Sequence, residues 1–404
     1  MPEELIEVRG QLFQLTTLAD IVKCVTVRGL DFEVADFELA KSTDLPSWIQ
    51  LRLKAKSDDD LRVCLEHITQ MGAHVVDARD ARTEKVEADG ILPDEAYALT
   101  GLPTEVRANG AWLAVVDALP LAAIRLDPPR GAVATPVERV RKGDRIVVRN
   151  EGVRVSPEPP ERESELLGLL GTSMPAMRPH GPAITRIARE VQRVRGAGKR
   201  VALVAGPAVI HTGASSYVEQ LLRGGSVDLL IGTNGMAVYD VEAALYGTSR
   251  GLYLSESLAA PQGAQNMIHA LNTVRAVGGL SAAVERGVLT RGILYTCLRE
   301  QVPYLLIGSV HDEAALPDSL TDTVKAREAV RAGLQGTGLA LMVAEASLAK
   351  AVIQALPGST PKVYVDTSDY DVNKLVSRGA PSVFALVDSA ESFLRELARN
   401  LGAW

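Results

Sequence analysis

From residue 183 onward, short apolar runs alternate with amphipathic helical segments, and no other feature constrains the fold of this chain as strongly. The runs are 201–205, 227–232, 304–307, 339–343, 362–365 and 383–386. In 201–205 every position is small or apolar, the pattern of a strand buried on both faces of a parallel sheet. Between the runs, segments such as 216–223, 264–275 and 323–332 carry apolar residues at helical spacing. Strands joined by crossover helices with right-handed connections make a doubly wound α/β sheet. Ligands of such sheets sit beyond the carboxyl ends of the strands, so the loops after the runs are the candidate site.

The first of these loops follows 201–205 and reads Gly206-Pro207, then His211-Thr212-Gly213, ahead of a helix carrying Ser215, Ser216 and Glu219. A strand ending in glycine, followed by a helix start with free N–H groups, suits an anion such as a cofactor pyrophosphate. The loop is neither G-x-G-x-x-G nor G-x-x-x-x-G-K-[ST]. The other loops are polar as well. They carry Thr233, Asn234, Gly235 and Asp240; Thr248 and Ser249; Gly308, Ser309, His311, Asp312 and Glu313; and Asp366, Thr367, Ser368 and Asp369. Such groups supply amides for phosphate, polar groups for ribose, and carboxylates that grip an ammonium or move a proton. Each also has a local structural role open to it. Asp312 caps a turn, Asp366 caps a helix, Thr248 and Ser249 satisfy turn amides, and His211 fixes its own loop. What favours a ligand is their gathering at one sheet edge.

The rest of the chain differs in texture. Residues 1–84 read as a small α+β module in βαββαβ order, with strands at 4–15, 31–39 and 48–55 and helices at 18–28 and 58–71. Ser57 and Asp58 to Asp60 offer N-capping oxygens to the second helix. Residues 85–160 read as a β-rich, barrel-like segment, with strands at 112–116, 122–126, 133–137 and 145–148 and a tight turn at Lys142-Gly143-Asp144. Residues 161–404 form the Rossmann-like part, opening with a helix over 161–170.

The formal net charge of −7 and the dispersed basic residues argue against a nucleic-acid surface. No apolar run reaches membrane-spanning length, and the acidic N-terminus has no hydrophobic signal segment, so a cytoplasmic chain without a membrane partner is expected. Cys24, Cys64 and Cys297 lie far apart and belong to no C-x-x-C motif or Cys/His cluster, so no metal site is expected and Cys297 reads as a core residue.

Several segments resemble a family related to lysine-ketoglutarate reductase/saccharopine dehydrogenase. They are GPAVIHTG, TNGMAVYDVE, LYGTS, GVLTRGILYTC, VPYLLIGSV and LPDSLTDTV, with Leu102 to Arg107 and Lys142 to Asp144 matching earlier in the chain. That family includes the archaeal-type ornithine cyclodeaminases and the C-terminal half of cyanobacterial bifunctional arginine dihydrolase/ornithine cyclodeaminases. The resemblance implies an NAD-binding Rossmann-like domain and an ornithine-type amino-acid substrate. It also implies redox-neutral chemistry: oxidation at the α-carbon, ring closure by the δ-amine, loss of ammonia and reduction to proline. Gly206, His211, Thr212, Gly213 and Asn234 match cofactor-side positions, joined by Pro207, Gly308, Ser309 and Asp366 at the same edge; Asp240 and Asp312 match acidic ones, with His311 beside them. The chain departs from the pattern where Tyr239 replaces a histidine and His311 replaces an arginine, which removes a bidentate carboxylate donor. A net NAD(P)H oxidoreductase and a ligand-binding protein without turnover are the alternatives of the same fold. A homo-oligomer, dimer or tetramer, is expected of either enzyme.

Overall fold

The computed structural model describes residues 2–10, 17–39, 47–76, 78–127, 131–156, 164–166, 168–256, 258–260, 263–310, 312, 314–377 and 382–402. The chain divides into two compact units, residues 1–159 with 357–359, and residues 160–356 with 360–404.

The first unit begins with a four-stranded sheet in which Glu3–Gly10 pairs antiparallel with Ser47–Lys54 on one side and Ala73–Val75 on the other. Asp31–Glu38 forms its edge. The helices Thr17–Val27 and Asp58–Gln70 bury Ile21, Val25, Cys64 and Ile68 against Ile6, Val8, Leu51 and Leu53. Ser57 caps the second helix by accepting the Asp60 amide, as its sequence signature indicates. A seven-stranded sheet follows, built from short strands over a core of Leu99, Val106, Ile124, Val147 and Val153. Its strands Thr104–Ala108 and Val153–Val155 have no place in the sequence reading because each is too short to show periodicity.

The second unit holds an all-parallel sheet of eight strands. From one edge to the other they are Ser173–Met174, Val383–Val387, Lys362–Asp366, Thr337–Val343, Arg200–Ala205, Leu229–Thr233, Tyr304–Ile307 and Ser319–Leu320. After the edge strand Ser173–Met174, the chain enters the middle of the sheet at Arg200–Ala205 and steps outward through Leu229–Thr233, Tyr304–Ile307 and Ser319–Leu320. It then returns to the other side of its starting strand and steps outward again from Thr337–Val343. The order reverses between Arg200–Ala205 and Thr337–Val343, and that reversal opens a crevice at the carboxyl edge. Helices cover both faces, which is why the central strands lack polar positions. The helix expected over 161–170 is not found among the described residues, since 164–166 and 168–170 form turns. Among the described residues no helix is long and apolar enough to cross a membrane.

One charge lies inside this sheet. Lys362 is 2% exposed, and its Nζ donates to the Thr360 carbonyl at 2.7 Å. Burial pushes its ammonium group down to about 7. A base whose folded value lies below its unfolded one contributes stability at high pH and loses it as pH falls toward the folded value. The urea midpoint of the wild-type chain is therefore expected to rise between pH 7 and 9, and that rise is expected to shrink in Lys362→Met.

Candidate functional site

The loop after Arg200–Ala205 is not open. Residues Ala208–His211 make a single helical turn, which Gly213 ends at φ +79°. The amides of Gly206 and of 209–214 all donate to backbone carbonyls, leaving the Ala208 amide as the loop's donor among the described residues. The small and apolar residues of this turn thus close local hydrogen bonds among themselves. Thr212 turns its hydroxyl onto the Ala208 carbonyl at 2.8 Å.

Gly206 marks the crevice. A Cβ at this position would lie 2.9 Å from Glu345 Oε2 and 3.0 Å from Ala344 Cα, so only glycine lets the two strand ends approach this closely. Glu345 stands at the N-cap of the helix Ala346–Ala355 yet makes no side-chain capping bond. Its carboxyl group instead reaches across to Gly206. The residue as a whole is exposed, but partial desolvation of its carboxyl group at the crevice holds it above the usual carboxylate range; its own backbone amide opposes this, and the charges of Asp366 and Asp312 push in the same direction as desolvation. Those two carboxylates come from neighbouring strand ends. Asp366 accepts the Tyr364 hydroxyl and the Ser368 amide, each at 2.8 Å. Asp312 accepts the Ser309 amide through one oxygen at 2.6 Å, and its other oxygen faces the Cα of Gly235. Gly235 in turn faces Pro207 and Tyr239. Three carboxylates, a proline and two glycines thus surround the switch point. By helix geometry the amides of Asn234 and Gly235 lack intrahelical acceptors, while that of Met236 is capped by Thr233.

A second group adjoins this one. The rings of His211 and Tyr239 lie 4.8 Å apart, and His211 Nδ1 is 2.7 Å from Ser249 Oγ. Burial first and the nearby Arg250 second lower the histidine below its ordinary value, so it is neutral at pH 7. Ser249 is presented by a turn that buried Glu242 pins: its carboxylate accepts the Thr248 hydroxyl and the amides of Arg250 and Gly251. On the opposite flank, Thr367, Ser389 and the His180–Asp388 pair, 3.0 Å apart, line a cleft of about 700 Å3.

Two of the expected site residues lie behind the crevice. Asn234 is 1% exposed and engages the 314–319 segment through both ends of its amide. Its Nδ2 donates to the Ala314 carbonyl, and its Oδ1 accepts the Leu316 amide and the Ser319 hydroxyl. Asp240 is enclosed, and its oxygens accept the Ile293 and Leu294 amides at 2.9 Å each, anchoring the start of the helix Ile293–Arg299. Burial pushes its carboxyl up to about 7, against the pull of those two amides. Gly308 donates its amide to the Leu320 carbonyl, which ties the Asp312 loop to the sheet edge. His311 lies outside the described residues. Sequence reasoning passes over Glu345, although it stands two residues past the apolar run 339–343.

Family profiles cover the chain almost end to end. Residues 3–102 match the LOR/SDH bifunctional enzyme conserved region, and 103–184 match the first region of the ArgZ-like arginine dihydrolase C-terminal part. Residues 185–397 match its Rossmann-fold region, more than half of the chain. The chain belongs to the ArgZ-like C-terminal family. Within and around this family, the ornithine cyclodeaminase of Methanopyrus kandleri is 35% identical over 401 residues, spanning 99% of this chain and 97% of the relative. That of Archaeoglobus fulgidus is 32% identical, spanning 96% and 95%. The solved apo structure of cyanobacterial ArgZ superposes with a TM-score of 0.83 at 29% identity; this chain spans 58% of its length. A ternary complex of AgrE with ornithine and NAD+ has a TM-score of 0.54 at 30% identity, again over 58% of that chain.

Replacing Asp240 by alanine leaves two buried N–H groups without acceptors, a cost of about 2–4 kcal/mol. Denaturant unfolding of Asp240→Ala is expected to show that loss, whereas a purely catalytic Asp240 would leave the unfolding midpoint unchanged.

Proposed function

We propose that this chain is an NAD-dependent ornithine cyclodeaminase, converting ornithine or a close diamino acid to a proline-type product with release of ammonia. The observation that carries this reading is Glu345 beside Gly206, with Asp312 and Asp366 close enough to act on its charge, at the switch point of a Rossmann-ordered sheet. A diamino acid brings two ammonium groups to its enzyme, and carboxylates on neighbouring strand ends answer both. The relatives named ornithine cyclodeaminase, matched over nearly their whole length, support the same substrate.

The crevice fits NAD. Gly206 keeps side-chain atoms out of the strand junction, and the Ala208, Asn234 and Gly235 amides are the donors available to a pyrophosphate. NAD, when bound, supplies a reversible hydride acceptor at the substrate's α-carbon. Everything else falls to the chain. Asp312 and Asp366 hold the amino groups in place, and each is fixed by hydrogen bonds that stop it from turning away. Neutral His211 with Tyr239 forms a wall beside Pro207 and Gly235, and exposed Arg250 offers a cation on that flank for an anionic group of either ligand. Asn234 and Asp240 act as anchors of the surrounding loops rather than as ligands.

The purified chain, given ornithine labelled at the α-nitrogen and a catalytic amount of NAD, is expected to release labelled ammonia and unlabelled proline in equal amounts. No lasting change in nicotinamide absorbance should accompany turnover. Stoichiometric consumption of reduced cofactor would instead identify a net oxidoreductase, and binding without product would identify a ligand-binding protein.

A further inference from the structure

We propose that Glu345 is the catalytic base of this site, taking a proton from the α-ammonium group of the bound diamino acid and returning it to the departing nitrogen. The assignment rests on the functional reading above and adds a residue role to it.

Three features of Glu345 single it out among the carboxylates of the crevice. First, Asp312 and Asp366 are engaged by amide and hydroxyl donors of other residues, whereas Glu345 occupies an N-cap, leaves the capping bond unmade and meets its own backbone amide instead. Second, its carboxyl lies over Gly206, at the junction of the two strands where the chain order reverses. Third, the groups that face it are of its own sign or uncharged: Asp312 from the 308–314 loop, Asp366 and Tyr364 from the strand Lys362–Asp366, and the backbone of Gly206. In the empty site these surroundings favour the protonated form. A bound ammonium reverses the balance, because an adjacent cation favours the carboxylate. Arrival of substrate therefore shifts Glu345 toward the carboxylate, the form that acts as the base.

The bookkeeping of atoms closes. Glu345 carboxylate takes one proton from the α-ammonium, which leaves a neutral amine whose lone pair forms the C=N bond as the α-C–H bond breaks; its hydride would pass to NAD and later return to the ring imine. The δ-ammonium sheds its protons to solvent as it adds. After the δ-amine adds to that carbon, the bond to the original nitrogen breaks and its electron pair leaves with the nitrogen. The proton held by Glu345 completes ammonia, and the carboxylate is restored.

Calorimetry of ornithine binding in buffers of low and high ionisation enthalpy counts protons directly, and it needs no turnover. At one to two pH units above the ordinary glutamate value of about 4.3, the wild type is expected to release protons on binding ornithine, and Glu345→Gln is expected to release fewer. The same variant should lose about 10²–10⁴ in kcat along with the acid limb of the kcat/KM profile. Its affinity for NAD and its unfolding midpoint should stay near those of the wild type. If Glu345→Gln does not fold, Glu345→Asp serves in its place: it should keep the acid limb while losing at least tenfold in kcat. Equal proton release in Glu345→Gln, an unchanged acid limb, or a wild-type rate in Glu345→Asp overturns the assignment. Failure of the wild type to form proline and ammonia defeats the functional reading itself, so the two failures are told apart.

Discussion

The parallel pairing of Arg200–Ala205 with Thr337–Val343 is the constraint on which the site depends. These strands are distant in sequence, and the chain reaches the second only after building the far half of the sheet. Their carboxyl ends then approach so closely that residue 206 has no room for a side chain. The same approach brings Glu345 over the glycine and between carboxylates from the adjoining strand ends. Fold and chemistry meet at one contact: the close approach that leaves little space for a Cβ at 206 sets the carboxyl group of Glu345 near two other carboxylates, which raise its hold on a proton.

Around that contact, buried polar side chains do structural service. Asn234 clamps the 314–319 segment, Asp240 anchors the helix Ile293–Arg299, and Glu242 pins the turn that carries Ser249. Each satisfies backbone groups that would otherwise be buried without partners. Loops at a sheet edge are the mobile part of most α/β proteins. Here Asn234 fixes the segment that follows Asp312, while Asp366 is held by the Tyr364 hydroxyl and the Ser368 amide.

The alternation of apolar runs and helical segments made the doubly wound sheet legible, since burial on both faces removes polar residues from strands such as 201–205. Asp312 and Asp366 were legible as polar residues just past strand ends. Glu345 was not, because a lone glutamate ahead of a helix reads as a cap until the strand pairing shows what lies opposite. Asp240 and Asn234 misled for a related reason. A carboxylate or amide near a strand end looks the same in sequence whether it faces a ligand or a backbone amide of a distant helix. Short strands such as Thr104–Ala108 escaped detection because an alternation of five residues, here Thr104, Val106 and Ala108 against Glu105 and Arg107, is a weak signal by itself. The closed turn at 208–211 escaped for want of any helical signature in four residues.

The central claim is that cofactor and diamino acid meet between Gly206 and Glu345. A crystal structure of this chain with NAD and ornithine tests it most directly. The account predicts the nicotinamide ring at the Gly206 junction and an ornithine nitrogen within hydrogen-bond distance of Glu345. A nicotinamide and ornithine seated instead in the cleft of His180 and Asp388, with only solvent around Glu345, would contradict it.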